Sequence, residues 1–247
     1  MVNGFVRYLP LLIIAIVWQL VPDLGLVSPK VLPPVTLIVH DGVELFADHE
    51  TYYHAAASLM RAFSGLGIAI VFGIAAGVLM ARYTSVRIVL NPLVQMFYPM
   101  PKSALIPVMI IWLGIGSASK IVLIFLGCML PVVISAFNGA RGVDPVYVWS
   151  ARSLGASERE VLWEVILPAA MPQILNGVRT ALAICFVLLV SSELLISTEG
   201  LGYLIGLLGD NGIYPKMFAV IFFIIAMGFA ADRVYLMIAR RVLAWLE

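Results

Sequence analysis

Apolar residues occur in long runs along this chain, and short polar segments separate the runs. A helix of roughly 20 apolar residues crosses a bilayer core about 30 Å thick. The runs are of about that length, so the pattern predicts six transmembrane helices. Their predicted ranges are 7–22, 60–81, 88–113, 119–138, 174–196 and 216–239. We therefore expect an all-α integral membrane protein.

The composition supports the same class. Hydrophobic residues make up 62% of the 247 residues and charged residues only 12%, which is too few to cover a water-soluble surface. The net charge of +1 gives no signal for nucleic acid, and no nucleic-acid partner is expected. Cys128 and Cys185 lie within apolar runs, which favours small buried side chains over a disulfide or a metal pair.

The first apolar run has one feature of a secretory signal peptide, because Arg7 precedes it. However, Pro22 and Asp23 follow the run, where a cleaved signal would have a site of small residues. We favour a retained first span, with a cleaved signal as the alternative.

Positive charge is distributed unevenly among the polar segments. With six spans, ten arginines fall on one side, whereas Arg61 and all four lysines fall elsewhere. Cytoplasmic loops are enriched in Lys and Arg, so both termini are predicted to be cytoplasmic. The segment 22–60 is then external. It carries all three histidines, but their spacing fits no compact metal-ligand motif, and a solvated loop is favoured.

Small residues repeat every four positions in the second predicted span and fall on one helical face. Helix backbones can approach each other closely along such a face. We favour a contact with another helix of the same chain over a contact between subunits. The small residues are Gly65, Ala69, Gly73, Gly77 and Ala81.

Prolines interrupt the third predicted span, and Lys102 lies among them. Proline removes a backbone donor and breaks a regular helix. Irregular backbone at membrane depth is tolerated where protein or a water-lined cavity satisfies it. The third span is therefore predicted to be broken and to line a solute path, and Pro131 weakly suggests the same for the fourth span. The interrupting prolines are Pro92, Pro99, Pro101 and Pro107.

The polar segment 139–172, between the fourth and fifth predicted spans, has the signals of a folded loop. Asp144 suits a helix N-cap, and Pro145 suits the first helical position. Gly155 can end that helix in a left-handed conformation.

A second short helix is predicted to follow. Ser157 and Glu160 have the spacing of a capping box, and the apolar positions continue on helical spacing until Pro168. Two short helices hinged at one glycine could form a rigid cytoplasmic knob that receives force from a partner. They could equally form a connector that lies flat on the membrane.

The residues of this loop resemble a known signature. The run Ser150-Ala-Arg-Ser-Leu-Gly155-Ala-Ser, followed by Val165-Ile-Leu-Pro168-Ala-Ala-Met-Pro172 and Gly177, resembles the "EAA" signature of importer permeases in the ATP-binding-cassette superfamily. One departure is visible. Trp149 and Ser150 stand where the signature has Glu and its first Ala, while Ala151 matches.

Further runs resemble the branch of that family that serves nitrate, aliphatic sulfonates, taurine and pyrimidine or flavin precursors. They are Tyr98-Pro-Met-Pro101, Ile106-Pro107, Trp112-Leu-Gly-Ile-Gly116, Ser119-Lys120, Ser192-Glu193 and Gly200-Leu-Gly202. The resemblance implies a type I importer permease fold in the bacterial inner membrane. It implies one permease domain over 1–247, with a core at 55–240 and a cytoplasmic coupling loop at 139–172.

In this family the first short helix of the loop is a coupling helix, which seats in a groove on an ATPase subunit. It converts closure of the ATPase dimer into movement of the membrane helices. Ser150 and Ala151 are small enough for close approach, and Trp149 can fill a pocket. The resemblance implies this role for Tyr147, Trp149, Ser150, Ala151, Arg152, Leu154 and Gly155.

The resemblance also implies partners. Two cytoplasmic ATP-binding subunits would bind ATP and Mg²⁺, and an external solute-binding protein would deliver the substrate. No cofactor and no metal is expected on this chain itself. Six helices enclose little space, so a path between two copies in contact with membrane lipid is more plausible, and a homodimer is expected.

Two other mechanisms compete with this one. An ion-coupled secondary transporter would place carboxylates or histidines inside the membrane, and only Glu193 comes close. We expect a structural or gating role for Glu193, or a polar anchor at the membrane interface. A passive channel would need a filter segment, which the sequence does not show. Asp232 and Arg233, near the inner end of the last span, favour local neutralisation over a gate.

No enzymatic activity is expected. No lysine follows a glycine directly, so a phosphate-binding loop is excluded, and no catalytic residue is predicted. The path is expected along the broken third span and the fifth span, with Met96, Met100, Ser103, Ser191, Ser192 and Glu193 as candidates. The favoured substrates are nitrate, a sulfonate, taurine or a related small compound, and a neutral vitamin precursor stays open.

Overall fold

The computed structural model describes residues 4–246, with side chains for 9–245. The described residues are helical, with short connections and no strand among them. The helices are α1 (Gly4–Asp23), α2 (Val35–Ala47), α3 (His49–Arg82), α4 (Thr84–Phe97), α5 (Ile106–Leu113), α6 (Ser117–Arg141), α7 (Pro145–Ser153), α8 (Glu158–Leu195), α9 (Leu201–Asp210) and α10 (Tyr214–Val242). Arg7, which precedes the first apolar run, lies outside the described side chains.

Four of these helices are long and apolar enough to cross a membrane, and a bent pair could supply a fifth crossing. The four are His49–Arg82, Ser117–Arg141, Glu158–Leu195 and Tyr214–Val242. The bent pair is Thr84–Phe97 with Lys102–Leu113, which meet at 96°. The predicted break in the third span is therefore confirmed. The first predicted span corresponds to α1, whose described part, Leu9–Asp23, belongs to the shorter apolar helices.

The described chain divides into two compact units. The first consists of the chain up to Ser58 together with Glu193–Met227. The second consists of Leu59–Ser192 together with the chain from Gly228 onward.

Aromatic rings hold the first unit together. Trp18 of α1 packs against Phe218 and Phe222 of α10, with 5.7 Å between ring centroids in both pairs. Phe46 of α2 packs against Phe223 at 4.5 Å. Such pairs add about 0.5–1.5 kcal/mol beyond the area that they bury.

The segment 22–60 is largely helical, so the prediction of a solvated loop is wrong. It contains α2 and the start of α3. Asp48 caps α3, because its carboxylate accepts a hydrogen bond of 3.1 Å from the backbone N–H of Glu50. His40 and His49 are exposed, whereas His54 is buried within α3.

The small-residue face of α3 packs against α6 in the second unit. A Cβ atom at Gly65 would lie 2.8 Å from the Ile121 carbonyl oxygen, and one at Gly77 would lie 2.5 Å from that of Val133. Only glycine permits backbones to approach this closely. The predicted contact within the chain is therefore confirmed.

Two predictions that a proline interrupts a helix are wrong. Pro131 does not interrupt α6, which runs through it. Pro168 does not end the helix that starts after Ser157, because that helix continues to Leu195. A proline clashes with the carbonyl four residues earlier in a regular α-helix. The turns at Val161–Ile166 widen to a π-helix just before Pro168, which relieves this conflict.

Candidate functional site

The break between α4 and α5 is stabilised by one side chain. The Lys102 ammonium donates hydrogen bonds to the carbonyl oxygens of Phe97 at 2.6 Å, Tyr98 at 3.1 Å and Met100 at 2.7 Å. These carbonyls have lost helical partners at the bend, and an unsatisfied carbonyl in a membrane costs several kcal/mol. Lys102 therefore makes the break tolerable.

A second lysine plays a similar part after α5. The Lys120 ammonium donates to the carbonyl oxygens of Ile115 at 2.6 Å and Gly116 at 3.4 Å. The Ser119 hydroxyl also donates to Gly116, at 2.9 Å. The connection from α5 to α6 is thus held by side chains from the first turn of α6.

A groove of about 490 Å³ lies beside the break, within the second unit. The bent segment, α6 and α8 form its walls. Its lining residues are Tyr98, Lys102, Ser103, Gly127, Leu130, Pro131, Thr180, Ala183, Ile184, Val187, Leu188 and Ser191. The predicted path residues Ser103 and Ser191 therefore meet in one groove, although 88 positions separate them in the sequence.

The other predicted path residues lie elsewhere. Met100 lines a smaller, mostly apolar cavity of about 220 Å³ between α3, α4, the bend and α6, and Lys102 lines it too. Met96 is 70% exposed and lines neither cavity. Ser192 is buried, and its hydroxyl donates to the Leu189 carbonyl oxygen at 2.9 Å.

Glu193 holds the start of α9 in the first unit. Its side chain is 1% exposed, and its carboxylate accepts hydrogen bonds from the Ser58 hydroxyl at 2.7 Å and the Gly202 N–H at 3.1 Å. The Ser58 oxygen in turn accepts from the Leu201 N–H at 2.8 Å. Together they satisfy donors that a helix start leaves without intrahelical partners. This burial favours a structural role over a polar anchor at the membrane interface.

Gly200 is required by the same arrangement. Its φ of +113° is unfavourable for residues with a Cβ, and a Cβ there would lie 2.3 Å from the carboxyl carbon of Glu193. Its N–H donates to Nδ1 of the buried His54 at 3.1 Å. The runs Ser192-Glu193 and Gly200-Leu-Gly202 are recognisable in the sequence, whereas no sequence signal marks His54 and Ser58 as their partners. Among the described residues no cluster of His, Cys, Asp or Glu could hold a metal ion.

The predicted signals of the loop 139–172 are confirmed at its first helix. The Asp144 carboxylate accepts from the Val146 N–H at 2.9 Å, and Pro145 is the first residue of α7. Gly155 has a φ of +88° just after the helix end. The chain then turns into α8.

The predicted capping box is also present. The Ser157 N–H donates to the Glu160 carboxylate at 2.6 Å, and the Glu160 N–H donates to the Ser157 hydroxyl at 3.3 Å. The start of α8 is thereby fixed, as the two residue types predicted.

The α7 segment presents large apolar side chains to its surroundings. Tyr147 is 61% exposed, Trp149 64% and Leu154 86%. Ser150, Arg152 and Gly155 are exposed as well, and Ala151 is partly buried. Several large exposed apolar residues close together are typical of a surface that binds another protein.

A second groove, of about 560 Å³, lies next to α7. It is lined by Tyr147, Ser150, Ala151, Leu154, Glu164, Val165, Pro168, Ala169 and Trp245. Four residues with an implied coupling role thus share one concave surface with the start of α8. Trp149 is not among the lining residues.

An ion-pair cluster links α7 to the end of α3. The Glu158 carboxylate pairs with Arg152 of α7 at 2.9 Å and also contacts Arg82, the last residue of α3. Sequence reasoning missed this cluster, because 76 positions separate Arg82 from Glu158. The cluster ties the exposed segment to a membrane-spanning helix.

Asp232 makes an ion pair with a different helix. Arg179 of α8 donates to the two carboxylate oxygens of Asp232 at 2.8 Å and 3.1 Å, a bidentate pair. The Tyr235 hydroxyl donates to the Leu175 carbonyl oxygen at 2.5 Å. Asp232 is therefore neutralised from α8, whereas Arg233 lies over the Phe229 ring at 4.7 Å.

Comparison with known proteins identifies the family of this chain. The family model described as "Binding-protein-dependent transport system inner membrane component" matches residues 69–244. The chain belongs to this family. The resemblance to importer permeases is confirmed. The chain is a permease subunit of an ATP-binding-cassette importer of the inner membrane.

Individual relatives agree with the family. The permease is 38% identical to the taurine transport system permease protein TauC of Escherichia coli (strain K12), over 95% of this chain and 87% of the relative. It is 38% identical to the putative aliphatic sulfonates transport permease protein SsuC of Bacillus subtilis (strain 168), over 96% of this chain and 86% of the relative.

A solved structure shares the fold. A chain of the MetNI methionine ABC transporter, in inward-facing conformations, matches with a TM-score of 0.67. The match covers 78% of this chain and 96% of that chain at 18% identity, so it supports the fold alone.

The family decides between the predicted mechanisms. A non-catalytic permease subunit agrees with the names of the relatives, and the ion-coupled carrier and the passive channel find no support. Family membership also implies an ATP-hydrolysing subunit and a solute-binding protein as partners.

Proposed function

We propose that this permease forms half of a solute path in a type I importer, with a second copy supplying the other half. The groove beside Lys102 would face the shared path, with Ser103 and Ser191 in contact with the passing solute. The single observation that carries this proposal is that the broken span and α8, the two segments predicted to line a path, form one groove together. The helices of a single chain form an open groove, so a second copy would be needed to close the path.

The α7 segment is the proposed coupling helix. Its exposed apolar residues would dock on a cytoplasmic ATPase subunit, and two such subunits would bind ATP and Mg²⁺ while this chain binds no cofactor. The cluster around Glu158 would carry the displacement of α7 to the end of α3. The same displacement would reach the groove directly, because α8 begins three residues after Gly155 and continues to Ser191.

The proposed topology has six spans, with both termini cytoplasmic and lipid around the dimer. In this topology α1 is the first crossing, and the bent pair is the third. The whole chain, 1–247, would act as one permease domain, with its core at 55–240 and the coupling loop at 139–172. Cysteine labelling of a terminus from each side of the membrane would test the orientation.

The proposed substrate is taurine or another small sulfonate. The names of the two relatives described above support this class. The test is uptake of labelled taurine by the permease reconstituted with its ATPase subunits and binding protein, with ethanesulfonate, nitrate and uracil as competitors. We expect the sulfonate to compete and uracil to have no effect. Competition by uracil alone would overturn the assignment.

A matched pair of variants tests the docking role of α7. Leu154→Ser removes an exposed apolar side chain that makes no contribution to the core, so the fold should be unchanged within about 0.5 kcal/mol. If Leu154 is an interface anchor, copurification with the ATPase should weaken roughly tenfold, which corresponds to about 1.4 kcal/mol. Leu37→Ser, at another exposed leucine, on α2, is the control and should copurify normally.

A further inference from the structure

Lys102 is the only charged side chain among the residues that line the groove. The other polar side chains of the lining are hydroxyls, on Tyr98, Ser103, Thr180 and Ser191. Hydroxyls accept and donate hydrogen bonds but contribute no net charge. The electrostatic character of the groove is therefore set by one ammonium group.

The charge of that ammonium is not balanced by its partners. All three of its hydrogen bonds go to neutral carbonyl oxygens, and no carboxylate within the described part of the chain pairs with it. Arg179 offers a contrast, because Asp232 neutralises it through a bidentate pair. The carbonyl dipoles screen the ammonium in part but cannot cancel its net charge, so its field extends into the groove.

The position of Lys102 is fixed as well. Its three donors are all used, and its aliphatic stem passes Gly127 of α6, where an added Cβ would meet its Cγ at 3.5 Å. The bend that holds the ammonium also forms one wall of the groove. The ammonium group thus has a fixed position in the groove wall.

We propose that Lys102 makes the groove selective for anionic groups, so that a monoanion such as a sulfonate enters more readily than a cation of the same size. This inference rests on the proposed function of the groove as the solute path. It assigns to Lys102 a selectivity role in addition to its support of the bend. Because the ammonium has no donor left, it acts through its field and the hydroxyls make the direct contacts.

The test uses cysteine probes of opposite charge on the reconstituted complex. In a background where Cys128 and Cys185 are replaced by alanine, Ser191→Cys is treated with a sulfonatoethyl or a trimethylammonioethyl methanethiosulfonate. The ratio of the two modification rates is then measured with Lys102 and with Lys102→Gln. Glutamine keeps two donors for the freed carbonyls but removes the charge.

We expect the anionic reagent to be favoured with Lys102 and the ratio to fall roughly fivefold in Lys102→Gln, as one unit charge at several ångströms in a wet groove predicts. Lys102→Arg should retain the ratio. Lys120→Gln removes a lysine that supports a different connection, and it should also leave the ratio unchanged. An equal ratio in Lys102→Gln and its parent would overturn the inference.

Two further results keep the test decisive. If Lys102→Gln fails to assemble, raising the salt concentration with Lys102 present should lower the ratio, because ions screen the field; an unchanged ratio would contradict the inference. If Ser191→Cys reacts with neither reagent while uptake is normal, the proposed path itself is wrong. Failure of the path and failure of charge selectivity are therefore distinguishable.

Discussion

Gly200 and Gly155 both have a positive φ, but the space around them differs. At Gly200, in the first unit, an added Cβ would collide with the Glu193 carboxyl group at 2.3 Å. At Gly155, in the second unit, nothing lies within 4 Å of the same position. The first turn is filled by the protein's own side chains, whereas the second leaves open space next to exposed apolar residues. We interpret the turn at Gly200 as a structural element of the fold and the turn at Gly155 as part of a surface that binds a partner.

Alanine at Gly200 should have the largest effect on stability. The backbone strain and the clash with Glu193 add up to roughly 3 kcal/mol. Unfolding of the purified permease, followed by heat or denaturant, measures the loss. Gly212→Ala is the matched control, because Gly212 also has a positive φ, +71°, but nothing within 4 Å of its Cβ position. The control should lose only about 1–2 kcal/mol, and equal losses would contradict the structural reading of Gly200.

Leucine at Gly155 should have the opposite balance of effects, with a small loss of stability and a large loss of ATPase binding. The fold should lose only about 1–2 kcal/mol from backbone strain. The added side chain would occupy space that the ATPase subunit is proposed to fill. If this removes about 2 kcal/mol of binding energy, the complex should weaken roughly thirtyfold. Copurification and ATP-dependent uptake measure this effect, with Gly25→Leu as a control at another open turn. Normal association and transport in Gly155→Leu would exclude a coupling role for this loop.

Glutamine at Glu158 should have the smallest effect on stability and a visible effect on coupling. Its ion pairs with Arg82 and Arg152 are partly exposed, so they contribute under about 1 kcal/mol to folding. If the cluster carries movement from α7 to α3, the amount of solute transported per ATP should fall roughly twofold while ATP hydrolysis continues. The expected change is small because such exposed ion pairs contribute little energy. Glu44→Gln breaks another exposed pair, with Lys216, and should leave this ratio unchanged. An unchanged ratio in Glu158→Gln would remove the cluster from the mechanism.

The sequence predicts those parts of the structure that depend on near neighbours. The cap at Asp144, the capping box at Ser157 and the break between Pro99 and Pro107 all follow from residues a few positions apart. The small-residue face of α3 is predictable for a related reason, since a fixed period along one helix identifies a close contact. The helix at 35–47 is not predicted because its 13 residues are too few to cross a membrane, and the prediction rested on apolar runs of spanning length.

Other features depend on partners that are remote in sequence. Ser58 and Glu193 are 135 positions apart, and no local pattern joins them. The three carbonyls that Lys102 binds are close in sequence, but only the bend shows that the side chain turns back to reach them. The continuation of α8 past Pro168 depends on a π-helical stretch, for which the residues give no recognisable signal.

The central claim is that α7 connects the groove to an ATPase in another subunit, and ATP-dependent uptake tests it most directly. The permease is placed in liposomes with labelled taurine, either alone or with its ATPase subunits, the binding protein and ATP. We predict uptake only with the complete set, and a strong loss of uptake when Gly155→Leu replaces the unmodified chain. Uptake by the permease alone, down a gradient and without ATPase, would contradict the account.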